Sequence, residues 1–389
     1  MKRVLFVVLS EKGHVHPFIG PAQELARLGA HVGFYAPCDL RIPLGRAGFT
    51  RVFAGSDDAP PPPDANRGRA FAELVANRKR LRAWIKEMLV DSVPGEVERL
   101  TAVVRDFKPD VLIADPMAYA APIVAAREHI PWAAVSTSLN MVVPQDWTSD
   151  LIETTLSLPR AELFADYGIT NAHFRVSDCL SEHLNVTFTT RDLVGSEPPR
   201  IVLAGASVPR AERGDVSDTL NLDEGKPIVF MSLGSQIYHQ PRMFETVVEA
   251  SRGQSWQLVL SMGELAESLP IPSDVLAVRY APQLSLLAKA RAMITHGGAN
   301  SVMEALANGV PLLVSPICND QPHNARFVAN AGAGFNCDLT NAHPNEVRKH
   351  LAALCTEGPE RHAAARIAKS YRNAGGAGAV ALAAMGLCT

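Results

Sequence analysis

The chain is short of excess charge, of long apolar runs and of paired cysteines, and each shortage excludes something. Lys and Arg number 37 against 40 Asp and Glu, a formal net charge of −3, so nothing in the balance draws the protein to a nucleic-acid backbone and no nucleic-acid partner is expected. No uninterrupted apolar stretch approaches the roughly 20 residues that a membrane-spanning helix needs, so no transmembrane segment is expected. Met1-Lys2-Arg3 and Val4 to Leu9 have the outline of an export signal, but the run stops at Ser10-Glu11-Lys12 without a small-residue cleavage site. Six cysteines, Cys38, Cys179, Cys318, Cys337, Cys355 and Cys388, are scattered without a Cys-x-x-Cys pair. That pattern suits neither a disulfide scaffold nor a structural zinc site, and a reducing cytoplasm is the expected setting.

What is present describes a folded α/β chain. Its 389 residues suffice for two globular halves, each able to bury a core. Val4 to Leu9 is a continuous apolar run of the kind buried on both faces of a parallel sheet. A loop, Ser10 to Pro17, follows, and Phe18, Ile19, Ala22, Leu25 and Ala26 then predict a helix that ends near Gly29. His31 to Ala36, Val111 to Ala114, Trp132 to Val135, Val186 to Thr189 and Ile201 to Leu203 predict further strands. Gly55 to Asp64, with Pro60 to Pro63 in a row, reads as an exposed loop. From Arg67 a helix is predicted, with Phe71, Leu74, Leu81, Trp84, Ile85 and Met88 inward and Arg78, Lys79, Arg80, Arg82 and Lys86 forming a solvated face. Ser136 to Arg175 has weak periodicity and many polar and aromatic residues, among them Trp147, Phe164, Tyr167 and Phe174, as pocket-lining segments often do.

Residues 206–225 lack apolar periodicity and read as a linker between a first domain, 1–205, and a second, 226–373. The second domain repeats the rhythm of strand, loop and helix, with Ile228 to Met231 followed by Ser232-Leu233-Gly234-Ser235. Its most informative stretch runs from Tyr280 to Val328. Ala292 to Thr295 is followed by His296-Gly297-Gly298 and then by apolar residues at helical spacing: strand, tight turn, helix. Such a helix start presents unpaired amides and a partial positive charge, which suits an anion. Asn300 and Ser301 add donors, and Glu304, one turn on, is placed to accept from paired hydroxyls such as those of a ribose. Upstream, Tyr280 and Gln283 offer a ring face and an amide for a base; downstream, Asp320 and Gln321 offer acceptors and donors for a polyol.

This stretch resembles the nucleotide-sugar signature of the UDP-glycosyltransferase family: an aromatic-x-Pro-Gln opening, a Thr-His-x-Gly-x-Asn-Ser-x-x-Glu centre and an Asp-Gln-x-x-Asn close, all in order. Ser232, Gly234 and Ser235 match the family's glycine-serine turn near the donor phosphates. Tyr280 stands where Trp is common, and tyrosine still stacks on a base; Ala299 stands where plant members usually carry Trp, a departure that bears on preference for base and sugar. The resemblance implies a GT-B arrangement, two Rossmann-like α/β domains facing a cleft, with residues 374–389 as a tail that crosses back to the first domain. It also implies the chemistry. Gly13-His14-x-x-Pro17 matches the motif that carries a general base, and Asp115 its acidic partner. An alcohol is a poor nucleophile near neutral pH, and histidine has the pKa to help it. His16 is a rival to His14, assigned to packing or hydrogen bonding.

The expected activity is transfer of a hexose, with inversion, from a nucleotide sugar to a hydroxyl of a small hydrophobic acceptor such as a polyketide, macrolide or phenol. A UDP-sugar is favoured as donor, with TDP-sugars as an alternative. No cofactor is expected and, as no Asp-x-Asp motif occurs, no metal. Three other readings remain: a nucleotide-sugar epimerase of the same architecture, a transferase acting on a lipid-linked acceptor at a membrane, and a non-catalytic sugar-nucleotide binder. The last would have no use for His14 and Asp115.

Overall fold

The computed structural model describes residues 1–55, 67–147, 151–215 and 217–388; the proline run Pro60 to Pro63 lies outside them. In the first half the strands are β1 (Arg3–Val7), β2 (His31–Ala36), β3 (Val52–Ala54), β4 (Val111–Ala114), β5 (Trp132–Ser136), the hairpin β6 (His173–Arg175) and β7 (Asp178–Leu180), then β8 (Leu184–Thr187) and β9 (Val202–Leu203). All but the hairpin form one parallel sheet in the order β3-β2-β1-β4-β5-β8-β9. The second half supplies β10 (Ile228–Ser232), β11 (Gln257–Ser261), β12 (Leu276–Val278), β13 (Ala290–Thr295), β14 (Leu312–Val314) and β15 (Gly334–Asn336), parallel in the order β12-β11-β10-β13-β14-β15.

Both sheets are α/β sheets of doubly wound order, so each has one place where the order reverses: between β1 and β4 in the first, between β10 and β13 in the second. Loops leaving the carboxyl ends of those strand pairs diverge to opposite faces and leave a crevice, the usual ligand site of such sheets. His14 and Asp115 follow β1 and β4; Ser232 ends β10, and His296 follows β13. The central strands are apolar because helices cover both faces: Phe6, Ile113, Phe230 and Ile294 are fully buried. Truncating such a phenylalanine to Ala costs about 3–5 kcal/mol.

The first helix, Lys12–Arg27, begins six residues before Phe18, so the predicted loop is its first turn and a half. It carries Pro17 and Pro21 inside. Each proline lacks the N–H that would bond four residues back, which frees the carbonyls of Gly13 and Pro17. Both are taken by other elements: Asn300 Nδ2 donates to Gly13 O at 2.7 Å, and Ser207 Oγ to Pro17 O at 2.6 Å. Two breaks in the helix ladder thus become two attachments, one to the second domain and one to the linker.

Two helical predictions need correction. The helix expected from Arg67 is two, Gly68–Ala76 and Arg78–Lys86, because Asn77 leaves the helical region and its side chain caps the second helix by accepting from Arg80 N at 3.1 Å. The basic residues Arg78, Lys79, Arg80, Arg82 and Lys86 are exposed, and Lys86 pairs with Asp91 at 2.6 Å. The weakly periodic segment contains a helix, Leu151–Asp166. Its buried stripe includes Arg160 beside Leu156, Leu163 and Phe164, and Pro159 lies within it, which is why apolar periodicity alone missed it.

The C-terminal helix Gly376–Met385 packs against the first helix. A Cβ on Gly20 would lie 3.0 Å from Ala377 Cβ and 3.2 Å from Ser207 Oγ, so the closeness of that contact depends on glycine. The tail therefore returns to the first domain, where Gly376 N also donates to Ala204 O at 2.7 Å.

Candidate active site

His14 lies in the opening turn of the first helix, where Asn300 grips the Gly13 carbonyl. Its Nδ1 is 2.7 Å from Asp115 Oδ2. Asp115 is fully buried, and its other oxygen accepts from Met117 N at 2.9 Å. Thr137, at the end of β5, donates to Asp115 Oδ2 at 2.9 Å and lies 3.0 Å from His14 Nδ1. This arrangement commits Nδ1 to the acid and leaves Nε2 for the cleft. Burial opposes protonation of the ring, but the charge and hydrogen bond of Asp115, with help from Glu11 and Asp320, outweigh it and raise the His14 pKa to about 9.

A cavity of about 280 Å³ separates this pair from the second domain. His14 lines it together with Ser232, Gly234, Ser235, Tyr280, Gln283, His296, Gly298, Asn300, Ser301, Glu304, Asp320 and Gln321. Asp115 stands behind His14, out of the cavity. His296 differs sharply from His14: burial dominates, no carboxylate among the described residues pairs with it, and its pKa falls to about 4. It is a neutral ring with one N–H. Two glycines make room for that ring, since a Cβ on Gly234 would lie 2.8 Å from Cε1 and one on Gly298 2.6 Å from Nε2. Gly298 caps the helix Ala299–Ala307 without a side chain, and Val302 is the first residue whose amide bonds back to it. The earlier amides face the cavity end of the helix, where they suit an anion.

The structure assigns three of these side chains work that the sequence did not foretell. Asn300 ties the two domains together through Gly13. Gln321 accepts from Ile317 N and Cys318 N at 2.8 and 3.0 Å, and so shapes its own loop. Asp320 accepts from Asn324 Nδ2 at 2.8 Å. Of the aromatic residues expected near a pocket, Trp147 packs on Phe327 with centroids 4.6 Å apart, while Phe164 and Phe174 cluster with Tyr119. Thr137, Ser138 and Asn140 line the cavity from that segment instead.

Comparison with known proteins shows what the chain is similar to. Residues 215–365 match the family described as "UDP-glucoronosyl and UDP-glucosyl transferase". The chain is 26% identical to the 4'-demethylrebeccamycin synthase of Lentzea aerocolonigenes over 95% of both chains. It is 27% identical to the NDP-glycosyltransferase YjiC of Bacillus licheniformis, over 97% of this chain and 95% of the other. The fold matches the crystal structure of the glycotransferase of kitacinnamycin with a TM-score of 0.77 at 22% identity, over 100% of this chain and 99% of that one. Residues 215–365 thus resemble a UDP-glycosyltransferase, and nearly the whole chain resembles an NDP-glycosyltransferase. The fold is GT-B.

The cavity also brings in residues that sequence reasoning missed. Arg213, in the linker, pairs through Nη1 with Glu304 Oε1 at 2.5 Å and through Nε with Asp215 Oδ2 at 2.6 Å. Gln283 donates to the other oxygen of Glu304 at 2.7 Å. Glu304 is therefore a carboxylate already paired on both oxygens. Asp215 in turn lies 3.3 Å from His16 Nε2. Burial and the charge of Arg213 overcome Asp215 and push His16 down to about 3, a neutral ring held in a network. Between Arg213 and Asp215, Gly214 has φ of 85°, and a Cβ there would lie 2.4 Å from Pro43 O. The only signal in the sequence was charge gathered around that glycine, Glu212-Arg213-Gly214-Asp215. Among the described residues no helix is long and apolar enough to cross a membrane.

Proposed function

We propose that this glycosyltransferase moves a hexose from a nucleoside diphosphate sugar, a UDP-sugar first, to a hydroxyl of a small hydrophobic natural product, with inversion at the anomeric carbon. The observation that carries the reading is the His14–Asp115 contact at 2.7 Å on one wall of a cleft whose other wall holds the donor signature. Neutral His14 takes the acceptor proton on Nε2; Asp115 fixes the tautomer and stabilises the imidazolium that forms. The acceptor oxygen bonds to the anomeric carbon as the bond to the diphosphate breaks on the opposite face. An α-linked donor then gives a β-glycoside. Charge building on the leaving diphosphate is met by the N-terminal amides of the helix Ala299–Ala307, by Ser301 and by the neutral His296 as hydrogen-bond donor.

The relatives' names, a 4'-demethylrebeccamycin synthase and an NDP-glycosyltransferase, support a natural-product acceptor and a nucleotide-sugar donor. The test is nucleotide release with UDP-glucose, other UDP-sugars and TDP-glucose against hydroxylated aromatic and macrolide acceptors, with product masses recorded. Acceptor-dependent gain of one hexose is the expected result. Nucleotide-sugar recovered with an altered sugar and no product would reverse the reading in favour of an epimerase. Turnover is also expected to persist in excess EDTA; activity abolished by EDTA and restored by Mg²⁺ would contradict a metal-independent reaction.

A further inference from the structure

At the outer edge of its sheet the second domain carries three metal-ligating side chains that the proposed transfer does not use. β15 is the edge strand, and Cys337 follows it directly. The Cys337 amide donates to Val314 O at 2.9 Å, which continues the ladder with β14 for one more residue, and Leu339 N donates to Ser315 Oγ at 3.1 Å. The chain then enters the helix Pro344–Cys355, where Glu346 and His350, four residues apart, share a face. That helix is fixed in place: Val347 and Leu351 are fully buried, and Arg348 Nε donates to Ala250 O at 2.9 Å. Its placement sets the His350 ring on Phe335, with centroids 4.5 Å apart, and turns the shared face toward Cys337.

The result is one thiol, one imidazole and one carboxylate whose ligand atoms lie within 4.8 Å of one another. His350 Nε2 is 3.9 Å from Glu346 Oε1, too far for a hydrogen bond. Among the described residues no other side-chain hydrogen bond or ion pair takes up any of the three. Tetrahedral zinc, with bonds of about 2.3 Å to sulfur and about 2.0–2.1 Å to nitrogen or oxygen, holds its ligand atoms about 3.5 Å apart. About an ångström of side-chain rotation closes that difference, and Glu346 is exposed and able to make it.

The donor set selects the metal. Sulfur, imidazole nitrogen and a single carboxylate suit zinc, whereas magnesium and calcium take oxygen ligands. Burial and the charges of Glu346 and Asp338 push the Cys337 thiol up to about 11. A divalent cation reverses that balance: the thiol gives its proton to solvent, and the thiolate and the two carboxylates then surround two positive charges. Asp338 already accepts from Thr340 N and Asn341 Nδ2 at 3.0 and 2.7 Å, which leaves the fourth position of the metal to water.

We propose that Cys337, Glu346 and His350 form a zinc site that ties the end of β15 to the helix Pro344–Cys355. None of the three lines the cleft cavity, so the ion serves the stability of the second domain and takes no part in transfer. The scattered cysteines concealed it, because the partners of Cys337 are helix residues and not a second cysteine.

The full chain is stripped with a chelator and titrated with Co²⁺ and then Zn²⁺, for the wild type, Cys337→Ser and His350→Gln, with thermal melting of each. The wild type should take up one Co²⁺ with a thiolate-to-cobalt charge-transfer band, and lose that band to one equivalent of Zn²⁺ but not to excess Mg²⁺. Zn²⁺ should also raise its melting temperature, and raise that of the variants less. Cys337→Ser should show no band, and His350→Gln should bind Co²⁺ at least about tenfold more weakly. If Cys337→Ser does not fold, His350→Gln, whose ring is partly exposed, decides. No saturable uptake of Co²⁺ by the wild type, a band that survives in Cys337→Ser, or unchanged affinity in His350→Gln overturns the site.

Discussion

The two sheets end in the same place topologically and differ there chemically. At the order reversal of the first, His14 has a buried carboxylate within 2.7 Å and is raised to about 9. At the order reversal of the second, His296 has no carboxylate partner among the described residues, sits between two glycines and is lowered to about 4. A doubly wound sheet supplies a crevice and a histidine in each case; one buried acid separates a ring drawn toward a proton from a ring left neutral. In the proposed mechanism the two domains have opposite tasks: one handles a proton, the other an anion.

The largest expected effect follows from removing the proton carrier. His14→Ala should lower transfer by about 10²–10⁴-fold while calorimetry shows nucleoside diphosphate binding retained; a variant that transfers at the wild-type rate would end the assignment. Asp115→Asn should follow at about 10²-fold, since the ring keeps a neighbour but loses the charge that stabilises its protonated form. On the other side, Gly234→Ala or Gly298→Ala would drive a methyl to 2.8 or 2.6 Å from the His296 ring. Displacing the ring should weaken binding of the nucleoside diphosphate about tenfold without changing the pH at which transfer switches on. Equal affinity would mean that His296 does not touch the donor.

The smallest effect is on stability, and its sign separates the two histidines. His14 has a folded pKa of about 9, above the ordinary 6.5, so its stabilisation is complete below 6.5 and is lost as pH rises through 9. His296, at about 4, contributes above 6.5 and loses that contribution as pH falls toward 4. In urea melts across pH, His14→Gln should flatten the alkaline side and His296→Gln the acid side.

Much of this was legible in the sequence because it was local. The parallel strands announced themselves as apolar runs; nine of the twelve expected donor residues lie in one stretch, Tyr280 to Gln321, the other three in the turn Ser232 to Ser235, and all twelve line one cavity. What was hidden depends on distant partners. Pro17 looked like a helix boundary; only the structure shows Asn300 taking the carbonyl that it frees. Arg213 sat in a stretch without periodicity, and its role appears only with Glu304 and Asp215 around it. The hydrogen bonds among Ser136, Asn140, Ser177 and Asp178 join residues from β5, the turn after it and the β6–β7 hairpin. Nothing in their spacing brings those together.

The most direct test is the pH dependence of kcat/KM for acceptor, measured for the wild type and Asp115→Asn. If neutral His14 is the base and Asp115 holds its pKa up, the wild-type rate climbs with pH to a plateau beginning near 9, and the variant reaches its lower plateau at a lower pH, nearer the ordinary 6.5. A limb that stays in the same place when Asp115 is neutralised, or a profile with no limb, would show that the titrating group is not the His14–Asp115 pair.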